Sequence, residues 1–158
     1  MARFDTSGLD KLISEMQRMG QDSGAVAEAM VNAAVIEIRD AWRESAEAHD
    51  LRDTGAMIKS IGFPAPVQNI GGVLARDVYL QGKDAKGTRN AEKAFVLNYG
   101  TSRVPATYWV DEADERSGPK VQQRLEEMWG EFLETGKVPT VIDSGSGSVG
   151  GGITTIIK

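Results

Sequence analysis

Not one of the 158 residues is cysteine. That excludes disulfides, thiolate nucleophiles and any zinc or iron–sulfur site built on cysteine. Histidine occurs once, at His49, so the chain offers no histidine dyad. The position of His49 near a helix end suits a capping or surface cation better than catalysis. No apolar run is long enough to span a bilayer. MARFDTSGLDKL at the N-terminus lacks both the apolar stretch and the small-residue cleavage site of a secretion signal, so the expectation is synthesis and residence in the cytosol. The two glycines of GKDAKGT, 82–88, match neither the P-loop spacing nor the dinucleotide fingerprint, and no cofactor is expected. A net charge of -5 argues against a protein whose main role is to grip phosphate backbones.

What the chain does contain is enough for one ordinary domain. Its length buries a real core without metals or cross-links. Leu9, Leu12, Ile13, Met16 and Met19 recur at helical spacing, with Ser7 as a cap and Gly20 as a stop. Asp22 or Ser23 then caps a longer helix, whose apolar stripe runs through Ala27, Met30, Val31, Ala34, Val35, Ile38, Ala41 and Trp42. In LRDTGAMIKSI, Asp53 and Thr54 are placed to cap a short helical turn, Gly55 relieves its start, and Met57, Ile58 and Ile61 anchor it. From Ile61 to Leu80 the period changes to that of an antiparallel hairpin, with Pro64 and Pro66 on an edge strand and a turn at Asn69-Ile70-Gly71-Gly72.

Gln81 to Lys93 has no apolar periodicity and reads as an exposed, mobile loop. Lys83, Lys86, Arg89 and Lys93 give it a local positive excess. The stretch AFVLNYGTSRVPATYW, Ala94 to Trp109, follows. It joins an apolar segment to a Gly-Thr corner, crosses a loop carrying Arg103 and Pro105, and ends in two aromatics. Thr107 is placed to cap the next helix, with Trp109, Val110 and Ala113 inward and Asp111, Glu112, Asp114 and Glu115 outward. Those carboxylates have no nucleophile or base near them in sequence to make them catalytic. Gly118-Pro119 kinks or restarts the helix. Val121, Leu125, Met128, Trp129, Phe132 and Leu133 then form a second stripe, ended by Gly136. Two short β-prone runs, Val138 to Asp143 and Ile153 to Lys158, flank a Gly/Ser linker and read as a flexible tail or a loose hairpin that orders on a partner.

Two patterns, DTGAMIKSI (Asp53 to Ile61) and VLNYGTSRVPA (Val96 to Ala106), taken in order and spacing, resemble the tail-completion, or head-tail joining, proteins of long-tailed bacteriophages. The resemblance covers about Leu9 to Leu133. Asn98 departs from the family's acidic residue before the aromatic, and Thr107 from its proline before the second aromatic. The motif positions are Asp53, Thr54, Gly55, Ser60, Tyr99, Gly100 and Thr101. The resemblance implies a non-catalytic structural protein of the virion neck, made in the host cytoplasm. It forms a ring that ends the tail tube and docks on the head connector, so its partners are the tail tube protein, the connector proteins and its own copies.

The residues themselves supply docking devices suited to such a role, with Arg103 and Pro105 on one loop and Lys83, Lys86 and Arg89 on another. A small DNA-binding accessory protein using the basic loop 83–93 is the alternative. An enzyme using the carboxylates between Asp111 and Glu115 is the third. The expected fold is α+β: two N-terminal helices on a small antiparallel sheet, a C-terminal amphipathic helix completing a domain over 1–137, and a glycine-rich tail over 138–158.

Overall fold

The computed structural model describes residues 7–53 and 55–144, with side chains from Ser14 onward. Thr54 and the expected run Ile153 to Lys158 therefore lie outside the described residues. The fold is α+β. Helix α1 (Ser7–Ala48) leads to a single turn, α2 (Ala56–Lys59), then to strands β1 (Ile61–Gly62), β2 (Gln68–Ile70), β3 (Val73–Ala75) and β4 (Tyr79–Leu80), and on to helices α3 (Asn90–Tyr99) and α4 (Trp109–Thr135).

The two expected N-terminal helices are one. Gly20 does not stop α1, because its backbone stays right-handed and the Ser23 hydroxyl donates to its carbonyl at 2.7 Å within the helix. A helical glycine costs only about 0.5–1 kcal/mol relative to alanine, too little to stop a helix that is already propagating, even though the residues around Gly20 are mostly exposed. α4 likewise runs unbroken through Pro119. Gly118 has no Cβ to meet the proline ring, and the carbonyl deprived of its donor belongs to exposed Glu115.

α1 and α4 lie antiparallel: Ser45 donates to the Trp109 carbonyl at 2.7 Å, while at the other end the Arg18 guanidinium lies against Gly136. Between them, Ala29, Ala33 and Met128 pack with Val138 and Val141. The run after α4 is thus not a strand, and Val138 to Asp143 continues the packed body instead of leaving it. The second half of the core gathers Ala46, Met57, Ile58, Ile61, Leu80 and Ala94 around Trp109.

The expected hairpin is present as a ribbon with an open middle. β2 pairs with β3 and β1 with β4, both antiparallel. Gly71 and Gly72, at φ 61° and 86°, make the tight turn whose backbone matches strand twist. Pairing fails between the two ladders, where Pro64 and Pro66 have no N–H to donate. Arg76 fills the gap, donating to the carbonyls of Ala65 (2.8 Å) and Phe63 (3.0 Å) and to Asn32 Oδ1 (2.6 Å), with its guanidinium 4.4 Å from the Phe63 ring centroid. Burial lowers its pKa.

The deepest positions on α1 therefore include polar residues, Asn32, Arg39 and Ser45, beside the apolar stripe. Arg39 is 3% exposed and donates through both Nη atoms to Asp143, at 2.6 and 2.7 Å, and through Nε to Asp40. Burial opposes its charge, but the hydrogen bonds to Asp143 and Asp40 outweigh that and raise its pKa. Burial, reinforced by the neighbouring Arg39, lowers the pKa of Arg43. Replacing Asp143 with Ala should cost about 2 kcal/mol in urea unfolding, less than the ~3–5 kcal/mol of a fully buried pair because Asp143 is partly exposed and Asp40 remains. An unchanged unfolding midpoint would show that the post-α4 segment is not held by this pair.

Candidate functional site

The segment expected to be a mobile loop is a closed turn running into an unforeseen helix. Asp84 accepts from the backbone of Lys86 and Thr88, both at 2.9 Å, and from Lys93 Nζ at 2.6 Å. The Lys93 hydrogen bond, then the Thr88 amide, hold the Asp84 pKa below its ordinary value, and Asp84 raises that of Lys93. Lys83 and Arg89 face each other across a backbone bridge. The turn thus presents Lys83, Lys86 and Arg89 outward, while Lys93 is taken up within the fold. Helix α3 then buries Asn90, Ala94 and Asn98. Two of these three are asparagine, so the inward stripe carries little apolar signal, and the aromatics Phe95 and Tyr99 pack against each other on the outer face, tilted by 56° with centroids 4.9 Å apart.

Asn98 is the residue on which the next helix starts. Its Oδ1 accepts the N–H of Val110 at 2.9 Å, and its Nδ2 donates to Asp111 Oδ2 at 2.8 Å. The cap of α4 thus comes from another helix and not from Thr107. The Thr107 hydroxyl instead donates to the Leu97 carbonyl at 2.7 Å, and Tyr108 takes the left-handed N-cap position at φ 53° with no side-chain bond. Between the helices, Thr101 Oγ1 accepts from the amides of Arg103 and Val104, at 3.2 and 3.1 Å. Gly100 has φ 75°, and a Cβ there would lie 2.7 Å from both Ala106 N and Val104 O. Only glycine fits that corner without moving backbone.

The charged residues of α4 bind the fold together. Glu112 meets His49 Nε2 at 2.6 Å, Asp114 accepts from Trp42 Nε1 at 2.6 Å, and Arg116 reaches Glu44 at 3.6 Å. Among the described residues no three metal-ligating side chains come together.

Of the first motif, Asp53 does not cap α2. Gly55, at φ 76°, precedes that turn, and the Asp53 carboxylate is exposed, 3.9 Å from Lys93. Ser60 closes α2, its hydroxyl donating to the Met57 carbonyl at 2.6 Å. Between this motif and α3 lies a groove of about 520 Å³, floored by Leu51, Met57, Val96, Leu97 and Val104 and rimmed by Asp50, Asp53, Glu92 and Lys93. Arg103 and Pro105 are exposed on the loop beyond it. No signal in the sequence marked the two motifs as walls of one groove.

Substituting Gly100 with Val should cost more than about 3 kcal/mol in thermal unfolding. Gly24→Ala on α1, where a Cβ meets nothing within 4 Å, should instead stabilise by about 0.5–1 kcal/mol. Equal effects would mean the corner imposes no strain. Asn98→Asp keeps the acceptor for Val110 but sets a second carboxylate against Asp111. Such a pair raises the folded pKa of one member, so the penalty, roughly 1–3 kcal/mol at pH 7, should shrink as pH falls below about 5. A pH-independent penalty would assign the loss to geometry instead of charge.

Comparison of the chain with protein-family models, with curated proteins and with solved structures gives no match. Among the described residues, no helix is long and apolar enough to cross a membrane.

Proposed function

We propose that this chain is a structural assembly protein of the virion neck, capping the tail tube of a long-tailed phage and joining it to the head connector as a ring. The reading rests on the two patterns that resemble the tail-completion family, and one observation supports it. Although separated in sequence, Asp53, Gly55 and Met57 of the first pattern and Val96, Leu97 and Val104 of the second line the same groove. Such a groove, apolar at the floor and charged at the rim, suits a protein segment of a neighbouring virion component.

The role asks for rigid presentation, and no reaction is assigned to it. Gly100, Thr101 and the Asn98 cap hold the loop bearing Arg103 and Pro105 in one shape. The net charge of -5 lets DNA slide through a channel without being gripped.

The exposed cations Lys83, Lys86 and Arg89 keep the DNA-binding accessory reading as the alternative. It requires low-salt retention of duplex DNA that falls steeply with added salt. Deleting the gene from the phage or prophage that encodes it, with a complemented control, separates the two. Electron micrographs showing full heads beside unattached tails, or tails of abnormal length, are the expected result. Infectious virions in normal number would overturn the neck reading.

A further inference from the structure

Two surfaces of opposite charge sit far apart on this molecule, and each has exposed apolar residues nearby. The first is the turn bearing Lys83, Lys86 and Arg89, held in shape by Asp84. None of these three cations has an ion-pair partner among the described residues. The turn runs directly into α3, which carries Phe95 and Tyr99 at 63% and 54% exposure. The second is the last three turns of α4. Residues 126–134 hold four glutamates, Glu126, Glu127, Glu131 and Glu134, and no basic residue, with Arg124 pairing with Glu127 at 3.9 Å on the edge of the patch. Trp129 and Leu133 are exposed among them at 43% and 53%, and Glu126, Trp129 and Leu133 follow one another at i, i+3, i+7 along a single face.

We propose that these two surfaces dock on each other between copies of this chain, the basic turn and α3 aromatics of one copy on the acidic end of α4 of the next. The pairing matches charge with charge and apolar with apolar, as specific interfaces do. It cannot close within one molecule. Trp109, at the start of α4, donates to the Ala94 carbonyl of α3, whereas the acidic patch begins 17 residues further on, about 25 Å along the helix at 1.5 Å per residue. Because the two patches differ, the contact is head-to-tail and propagates, closing into a ring where the rotation permits. It supplies the ring of the neck reading and rests on that reading only for its use, since purified protein tests it without any phage.

The test measures the mass of the purified full chain in solution by sedimentation and light scattering. Wild-type protein should form species larger than a dimer at low salt, with association weakening roughly tenfold or more on adding several hundred millimolar salt. Reversing the turn (Lys83→Glu, Lys86→Glu, Arg89→Glu) should leave a monomer, and so should reversing the helix (Glu126→Lys, Glu127→Lys, Glu134→Lys). Mixing the two variants should restore assembly, because each then supplies the complement of the other. Gly130→Arg guards against misfolding. A Cβ at Gly130 meets nothing within 4 Å, so helicity should be unchanged while assembly is lost. Overturning results are a monomeric wild type at millimolar concentration and low salt, a two-fold dimer as the end state, variants that associate like wild type, or no rescue in the mixture. A chain that fails these assays and still joins heads to tails would refute this contact and leave the neck reading standing.

Discussion

The first two residues of α4, Trp109 and Val110, are fully and half buried, so the Val110 amide needs a partner other than water, and much of the architecture follows from how it is met. Asn98 on α3 supplies the acceptor for Val110 and, through the other half of the same amide, a donor for Asp111. That single side chain sets where α4 begins and which way it leaves α3. Trp109 is thereby carried to complete burial, edge-on to Trp42 at 6.1 Å between centroids. Burying an indole is worth on the order of 4–6 kcal/mol by area alone. Its long bond of 3.4 Å to the Ala94 carbonyl adds little beyond satisfying the ring nitrogen.

Polar side chains do the joining around this core. Asp111 is bound to α3, Glu112 to His49 at the end of α1, and Asp114 to Trp42 within α1. Two arginines perform the corresponding work at the ribbon, where Arg43 reaches the Ile61 carbonyl and Arg76 fills the proline gap, and a third, Arg39, holds Asp143 of the segment after α4. The acids that looked in sequence like a cluster are thus distributed among different neighbours. Their arrangement accounts for a rigid body that presents a basic turn, a loop and a groove.

How much of this was legible depended on whether the physical signal was local. Long stripes of apolar residues gave α1 and α4, and the change of period together with the Gly71-Gly72 turn gave the ribbon. α3 was invisible because its buried stripe is Asn90, Ala94 and Asn98, two polar residues whose burial makes sense only once Gln81 and Asp111 are there to receive their hydrogen bonds. Likewise Gly20 and Pro119 are breakers by propensity. Neither stops its helix, because Gly20 stays right-handed and the carbonyl that Pro119 leaves without a donor belongs to exposed Glu115.

Fold class, the absence of thiol chemistry and the Gly100 corner were written in the chain, because composition, periodicity and backbone freedom are properties read residue by residue. Three-dimensional packing was needed for the cap of α4 from a distant asparagine, the closing of the basic turn on Asp84 and the docking of Asp143 onto Arg39. Each depends on a hydrogen bond or ion pair between groups remote in sequence or in side-chain direction. Their strength comes from burial that exists only once the helices have packed.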